Sequence, residues 1–245
     1  MCTTYTYSEL KQLVAKSNNP TNGRLFSAAM YIKDIFNANN IVFGFMGGFS
    51  LSLRGSDRRA NDIDVAVGAT MLELKQVLDL QKFIIIPLGL TSGVLRSFVR
   101  VVEFGRLEKL VEVDFLLAGT ELSFKPTNFV LTFEGNFGLN IDLTDSVEII
   151  NTVLPSESVH QFPVLKLLSA MRSKLLAHFT RNESRDYKDL QWLCAQYGME
   201  IYEFRAELEM VHRQKFIDHC EQQPASSDGS GPNYVRKVKH ILGVP

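Results

Sequence analysis

The pattern of hydrophobic and polar positions divides the chain into a first part with mixed elements and a second part with helices only. In the first part, apolar residues at helical spacing predict helices over 8–16, 24–40, 49–54 and 70–80. Apolar, β-branched and aromatic runs predict strands at 41–45, 62–67, 82–86, 94–104, 109–119, 129–133 and 138–142. Two helices should therefore precede the first strand, and the first part should be a mixed α/β domain.

The second part shows helical periodicity without strand-like alternation. The segments with this periodicity are 164–179, 185–198, 200–220 and a short basic helix at 234–242. Polar residues between Pro155 and Pro163 predict a hinge, and the segment QQPASSDGSGPN at 222–233 predicts a flexible surface loop. We therefore expect two domains, an α/β domain over 1–154 and a mostly helical domain over 155–245.

Composition and charge narrow the possibilities. The chain has 245 residues and is 45% hydrophobic, which is enough for two domains with their own cores. The formal net charge is -1, so the overall charge does not indicate nucleic-acid or membrane binding. An anionic partner would have to bind at a local group of basic residues. Three scattered cysteines, an N-terminus without signal-peptide features and apolar stretches shorter than the roughly 20 residues that span a bilayer predict a cytoplasmic protein.

The sequence MGGFSLSLRGSDRRANDIDVAV, at 46–67, contains the most informative spacing of the chain. Gly47 and Gly48 follow an apolar strand and precede a helix-like segment, a place where backbone N–H groups receive phosphates. After thirteen more residues come Asp62 and Asp64. Since side chains alternate along a strand, both carboxylates should emerge on one face and hold hard cations such as Mg²⁺ or Mn²⁺. The spacing predicts a metal-dependent phosphate site.

Asp114 is the candidate for a third carboxylate. It lies fifty residues after Asp64, inside an apolar strand where an unpaired carboxylate is costly. Alternation should direct Val113 and Phe115 towards the core and Asp114 to the opposite side. Two-metal phosphoryl or nucleotidyl transfer uses such carboxylates to hold the ions and to activate the nucleophile. The alternative is an aspartate on the solvent face of a half-buried strand.

Together these motifs resemble the DNA polymerase β-type nucleotidyltransferase superfamily, in which Gly-Gly or Gly-Ser is followed by Asp-x-Asp and later by a strand aspartate. The resemblance covers about 40–118. It implies a nucleotidyltransferase core, an NTP substrate and catalysis with Mg²⁺ held at Asp62, Asp64 and Asp114. The two glycines would receive the triphosphate.

A second motif resembles the AbiEii-like nucleotidyltransferases, which include toxin components of bacterial toxin–antitoxin systems. In SKLLAHFTRNESRDYKDLQWL, Lys174 is followed by Asp186 and Asp189, and with this motif the resemblance reaches about residue 195. As a point charge Lys174 would contact the nucleotide triphosphate, and Asp186 would orient this lysine or meet the acceptor. The alternative is a helix surface on which Arg185 and Asp189 form an i,i+4 ion pair. One position differs from this branch: many of its members have Ser or Thr where this chain has Asp62.

Four further residues lie beside the glycine and aspartate motif. Ser50, two residues beyond the glycines, either donates its hydroxyl to a phosphate or caps the helix. Arg54, Arg58 and Arg59 lie between the glycines and the acidic pair. They either guide an anionic substrate or form a solvated basic loop.

Three functions are compatible with these motifs. The leading one is transfer of an NMP group from an NTP to a hydroxyl acceptor, which is RNA, a protein side chain or a small molecule, and a protein partner is allowed as well. The second is a catalytically silent nucleotide-binding or interaction module that has kept the fold. The third is a transferase of the aminoglycoside type, which modifies a small molecule and needs no basic groove for RNA.

Overall fold

The structure is a computed structural model that describes residues 2–89, 93–102, 109–118, 142–153, 159–222 and 232–245. Within these residues the chain forms two compact units, which meet in sequence between Leu165 and Lys166. The predicted strands at 129–133 and 138–142 fall almost wholly outside the described residues, as does most of the 222–233 segment. No helix in the described ranges is both long and apolar enough to cross a membrane.

The first unit is built on a sheet with eight strands among the described residues. In chain order its strands are β1 (Thr3–Tyr5), β2 (Phe43–Met46), β3 (Ile63–Val67), β4 (Ile84–Pro87), β5 (Val94–Val101), β6 (Lys109–Leu117), β7 (Val147–Val153) and β8 (Val159–Leu165). Across the sheet the order is β1-β4-β5-β6-β3-β2-β8-β7. β3 and β6 are parallel neighbours near its centre, and β2 and β5 flank them in antiparallel orientation. The predicted mixed α/β class is confirmed.

The helices follow the sequence signals closely in the first unit. In chain order the described helices are α1 (Tyr7–Ser17), α2 (Asn22–Ala38), α3 (Gly47–Leu53), α4 (Met71–Asp79), α5 (Leu143–Ser146), α6 (Leu167–Arg181), α7 (Ser184–Gln196), α8 (Gly198–Phe204), α9 (Met210–Gln222) and α10 (Pro232–Leu242). Thr70 begins α4 because its hydroxyl accepts the Glu73 N–H, while the Glu73 carboxylate accepts the Thr70 N–H. The C-terminal unit is helical, as predicted.

The main core lies between α2 and one face of the sheet. Ile32 and Phe36 of α2 belong to one buried cluster with Val65, Val113 and Phe115 of the central strands. Phe36 meets Phe115 edge-on, with 5.5 Å between the ring centroids. Because successive side chains of a strand alternate, the residues between these core positions in β3 and β6 point to the opposite face.

The opposite face of the sheet is covered in part by α1. Tyr5, Ile85 and Phe98 form a second buried cluster, against which Leu10 and Leu13 of α1 pack. The sequence does not predict β1, because three residues are too few for an alternating pattern. This strand forms by pairing in parallel with β4. The expectation that two helices come before the first strand is therefore wrong.

The segment with a predicted hinge contains a strand. β8 pairs antiparallel with β7 and meets β2 in parallel through Phe45 and Val164. Phe162 and Val164 are fully buried in the main core. Pro163 suggested an interruption because proline donates no backbone hydrogen bond, but burial of its two neighbours outweighs this loss. In the structure, the second unit begins at Lys166.

The structure divides the segment 200–220, for which the periodicity predicts one helix. α8 ends at Phe204, a short 3₁₀ turn covers Arg205–Glu207, and α9 begins at Met210. Leu208, between them, is extended and only 2% exposed. Burial of this leucine takes the chain out of the helix, and periodicity does not reveal such a tertiary requirement. The prediction of a single helix is wrong.

His178 of α6 lies at the centre of an aromatic cluster in the second unit. Its side chain is fully buried and stacks on His219 with 5.0 Å between ring centroids, while Phe216 meets it edge-on. Burial lowers the pKa of His178 to about 4. The charges of His219 and Lys215 act in the same direction, whereas Asp186 opposes them.

The free energy of unfolding should therefore fall as the pH is lowered from about 6.5 to about 4. An unfolded histidine takes up a proton near pH ~6.5, whereas folded His178 does so only near pH 4. The native state thus binds fewer protons across this window. Urea unfolding in small pH steps measures the effect. His178→Phe should remove much of the slope and His212→Gln should keep it; equal slopes in both variants would contradict the role of His178.

Candidate active site

Asp64 and Asp114 lie side by side on the sheet face opposite the main core. β3 and β6 run parallel, and Asp64 is paired in register with Asp114, so the two side chains emerge as neighbours on one face. Asp114 is only 3% exposed, while Asp64 is half-buried. Asp62 lies just before β3, two residues from Asp64. The structure therefore brings together two strand aspartates that are fifty residues apart in the sequence.

The glycine turn faces the same group. β2 ends at Met46, which is paired in register with Asp64. Gly47 follows with φ +65°, a left-handed conformation that favours glycine. A Cβ atom added at Gly47 would lie 1.9 Å from Oδ2 of Asp64. The Asp64 carboxylate occupies its place only because residue 47 has no side chain.

The arginines between the glycines and the aspartates have different environments. The guanidinium of Arg58 lies against the backbone of Gly48, where an added Cβ would come 3.1 Å from Nη1. Arg54 instead donates to Glu148 at 2.6 Å and so ties the end of α3 to β7. Arg59 is exposed. Arg58 is therefore the arginine of this segment that lies at the glycine turn.

Ser50 is buried, and its hydroxyl donates to the Gly47 carbonyl oxygen at 3.1 Å. This is the local bond of a helical serine to the preceding turn, and the residue at the N-cap of α3 is Met46. A phosphate would receive the Ser50 proton only if this bond were exchanged. The role of Ser50 in phosphate binding stays a prediction.

Sequence reasoning missed two residues of this site, Arg96 and Glu112. Arg96 lies opposite Asp114 across β5 and β6 and donates to both of its carboxylate oxygens, from Nε at 2.9 Å and from Nη2 at 2.7 Å. Nε also lies 3.0 Å from Oε1 of Glu112. The available signal was the spacing of Glu112 and Asp114 along one strand, together with the arginines inside the apolar β5 segment.

The charges of this group influence one another. Burial lowers the pKa of Arg96, but its hydrogen bonds and charge interaction with Asp114 and the charge of Glu112 raise that pKa overall, so the guanidinium stays charged. Burial raises the pKa of Glu112; Arg96 opposes this effect, and the negative charges of Asp114 and Asp62 raise the pKa further. Asp62 therefore belongs to the same electrostatic neighbourhood as the strand carboxylates.

The oxygen atoms at this face are of the kind that bind hard divalent cations. Asp64 and Asp114 offer carboxylate oxygens, the ligands that Mg²⁺ and Mn²⁺ prefer. Among the described residues, however, no three His, Cys, Asp or Glu side chains are grouped closely enough to hold a metal ion. The arrangement in the structure is a pair of adjacent carboxylates, one of them bound by Arg96.

The residues of the second motif form a buried ionic cluster within the second unit. Nζ of Lys174 lies 2.7 Å from Asp189 and 3.7 Å from Asp186. Arg181 donates to both carboxylate oxygens of Asp186, at 3.0 and 3.1 Å. Lys174 is 7% exposed and the two aspartates are 1–2% exposed. These contacts join α6 to α7 and neutralise the lysine, whose role in nucleotide binding stays a prediction.

Comparison with known proteins places the fold. No protein-family model matches the chain, and no curated protein matches its sequence. An antigenic nucleotidyltransferase-like protein from Paracoccidioides brasiliensis has a similar solved structure: the TM-score is 0.54 at 12% identity, over 90% of this chain and 94% of that one. A lincosamide antibiotic adenylyltransferase with bound lincomycin gives a TM-score of 0.38 at 16% identity, over 72% of this chain and 98% of that one.

The first of these similarities establishes a nucleotidyltransferase-like fold, as the glycine and aspartate motifs predicted. The resemblance of the Lys174 segment to the AbiEii-like branch is not tested by it and stays a prediction.

Proposed function

We propose that the protein is a nucleotidyltransferase that moves an NMP group from an NTP to a hydroxyl acceptor. The observation that carries the proposal is the register of Asp64 with Asp114 beside the left-handed turn at Gly47. The acceptor oxygen forms a bond to the α-phosphorus, the bond from that phosphorus to the β-bridging oxygen breaks, and pyrophosphate leaves. The hydroxyl proton passes to a carboxylate oxygen of Asp114.

Asp64 and Asp114 are the adjacent pair that would hold Mg²⁺ or Mn²⁺ together with phosphate oxygens of the NTP, and Asp62, just before β3, is the third candidate ligand. The ion would supply charge neutralisation at the transferring phosphate. Gly47 and Gly48 offer backbone N–H groups to the triphosphate, and their lack of side chains allows close approach. In this proposal the acceptor is RNA, a protein side chain or a small molecule. A steep fall of activity with added salt would indicate RNA, since phosphate contacts release counterions.

A catalytically silent nucleotide-binding module is the second candidate. The observation that favours it is that Arg96 donates hydrogen bonds to both carboxylate oxygens of Asp114. Fewer lone pairs of that carboxylate are then left to bind a cation or to accept a proton. A small-molecule transferase of the aminoglycoside type differs from the leading proposal in its acceptor only.

The test uses NTPs that carry the label on either the α- or the γ-phosphate, incubated with the protein, Mg²⁺ and cell extract. Nucleotidyl transfer should move the α-label to an acceptor and release the γ-label as pyrophosphate, and removal of Mg²⁺ by EDTA should abolish both. Transfer of the γ-label to the acceptor would contradict the proposal. Nucleotide binding without pyrophosphate release would favour the silent module.

Replacement of Gly47 by alanine should lower transfer at least about a hundredfold, the order of effect expected when a catalytic group is misplaced by ~1 Å. The added methyl group would lie 1.9 Å from Asp64 Oδ2 and displace the carboxylate. The variant should also lose about 1–2 kcal/mol of stability because alanine disfavours the left-handed conformation. Labelled transfer and urea unfolding measure the two effects.

Gly55 provides the matched control for this change. It also has a positive φ, +96°, but a Cβ atom added there would meet nothing within 4 Å. Gly55→Ala should therefore share the loss of stability and keep the rate of transfer. Equal activities of the two alanine variants would show that the position of Asp64 does not matter for the reaction.

A further inference from the structure

Arg96 is the side chain that fixes the orientation of Asp114. Its planar guanidinium donates in parallel to the two carboxylate oxygens, at 2.9 and 2.7 Å. This bidentate contact restrains the carboxylate in its plane, which a single hydrogen bond does not do. Asp114 is only 3% exposed, so little water competes for these bonds.

Arg96 is itself held at two points. Its Nε lies 3.0 Å from Glu112, which in turn accepts the Ser17 hydroxyl, at the end of α1, at 3.4 Å. Its backbone carbonyl accepts the Tyr5 hydroxyl of β1 at 2.9 Å. Tyr5 thus holds the backbone of Arg96, Ser17 and Glu112 hold its guanidinium, and the guanidinium in turn holds Asp114.

The charges of the site also require such a group. Asp64, Glu112 and Asp114 emerge on one face of the neighbouring strands β3 and β6, and Asp62 lies just before β3. Two of these carboxylates share the positive charge of Arg96. Outer groups that hydrogen-bond a ligating side chain set its orientation, and their loss typically weakens metal binding 10–100-fold.

We propose that Arg96 is a positioning residue that presents the Asp114 carboxylate to the divalent ion, with Glu112 as the anchor of the guanidinium. This inference rests on the proposed function. Lysine keeps the charge of Arg96 but offers a point charge in place of the planar fork. Arg96→Lys should therefore bind Mn²⁺ about tenfold more weakly while it keeps most of its resistance to urea.

Arg100 is the matched control. It lies four residues further along β5, on the same face, where its strand partner is Leu110 and its guanidinium donates to the Thr3 hydroxyl. Arg100→Lys should bind Mn²⁺ as the unmodified protein does. Arg96→Met, which lacks both the charge and the fork, should lose Mn²⁺ binding and also unfold at a lower urea concentration than Arg96→Lys.

The experiment titrates each protein with Mn²⁺ and measures the free ion by electron paramagnetic resonance, with urea unfolding recorded on the same samples. Unchanged Mn²⁺ binding in Arg96→Lys would overturn the positioning role, as would equal weakening in Arg96→Lys and Arg100→Lys. An Arg96→Lys protein that does not fold would overturn it too, because the guanidinium would then serve the fold alone.

Asp64→Asn separates failure of this inference from failure of the proposed function. If the unmodified protein binds Mn²⁺ and Asp64→Asn does not, a carboxylate metal site exists and the Arg96 variants test the inference alone. If the unmodified protein and Asp64→Asn bind Mn²⁺ equally weakly, the metal-dependent function itself fails and the inference fails with it.

Discussion

Replacement of Asp64 by asparagine is expected to lower the rate of nucleotidyl transfer about a thousandfold. Asparagine keeps the shape of the side chain but removes the charge that faces the in-register Asp114. Loss of a carboxylate that holds a catalytic cation removes several kcal/mol of transition-state stabilisation, and ~1.4 kcal/mol corresponds to a factor of ten in rate. Initial rates of α-label transfer at saturating NTP and Mg²⁺ measure the effect.

Asp57→Asn is the matched control, because Asp57 is an exposed aspartate in the same segment between the glycines and the acidic pair. It should transfer label at the unmodified rate. Full activity in Asp64→Asn, with thermal unfolding unchanged in both variants, would remove the basis for a transferase in which this residue holds the cation.

The second large effect concerns stability. Lys174→Met should reduce the free energy of unfolding by about 3–5 kcal/mol, the usual cost of removing one partner of a buried ion pair. The methionine fills a similar volume, but Asp189, which is 2% exposed, loses the ammonium group at 2.7 Å. Asp186 keeps the Arg181 guanidinium at 3.0 Å. Urea unfolding monitored by circular dichroism measures the change.

Lys188→Met is the control for this prediction, since Lys188 is exposed on the same α7 helix. It should change the free energy of unfolding by less than about 0.5 kcal/mol. Adding Asp189→Leu to Lys174→Met should recover much of the stability, because two apolar side chains replace the pair. If Lys174→Met lost as little free energy of unfolding as Lys188→Met, Lys174 would not be a buried structural partner and would be available for other contacts.

The centre of the sheet could be predicted because its pattern is local. In β3 and β6 every second residue is apolar and buried, so Val113 and Phe115 were expected in the core and Asp114 on the other side, and the structure confirms this placement. The left-handed turn at Gly47 is similarly local, since it depends on a residue without a side chain between a strand and a helix.

The edges of the sheet could not be predicted in the same way. β1 has three residues and exists only through its pairing with β4. β8 contains Pro163, which in isolation indicates an interruption. β1 is stabilised by a strand far away in the sequence. β8 pairs with its sequence neighbour β7, but Phe162 and Val164 are buried through contacts with elements far away in the sequence, so no local pattern predicts the strand.

By itself, the sequence determined which side chains share a face and where the backbone must turn, because strand alternation and glycine conformation act over a few residues. Only the tertiary structure decided which charges meet. Arg96 binds Asp114 because β5 and β6 pair in one register, and Lys174 binds Asp189 because α6 packs on α7. The physical reason is that the state of a buried charge depends on its nearest partner, and that partner is chosen by strand register and helix packing.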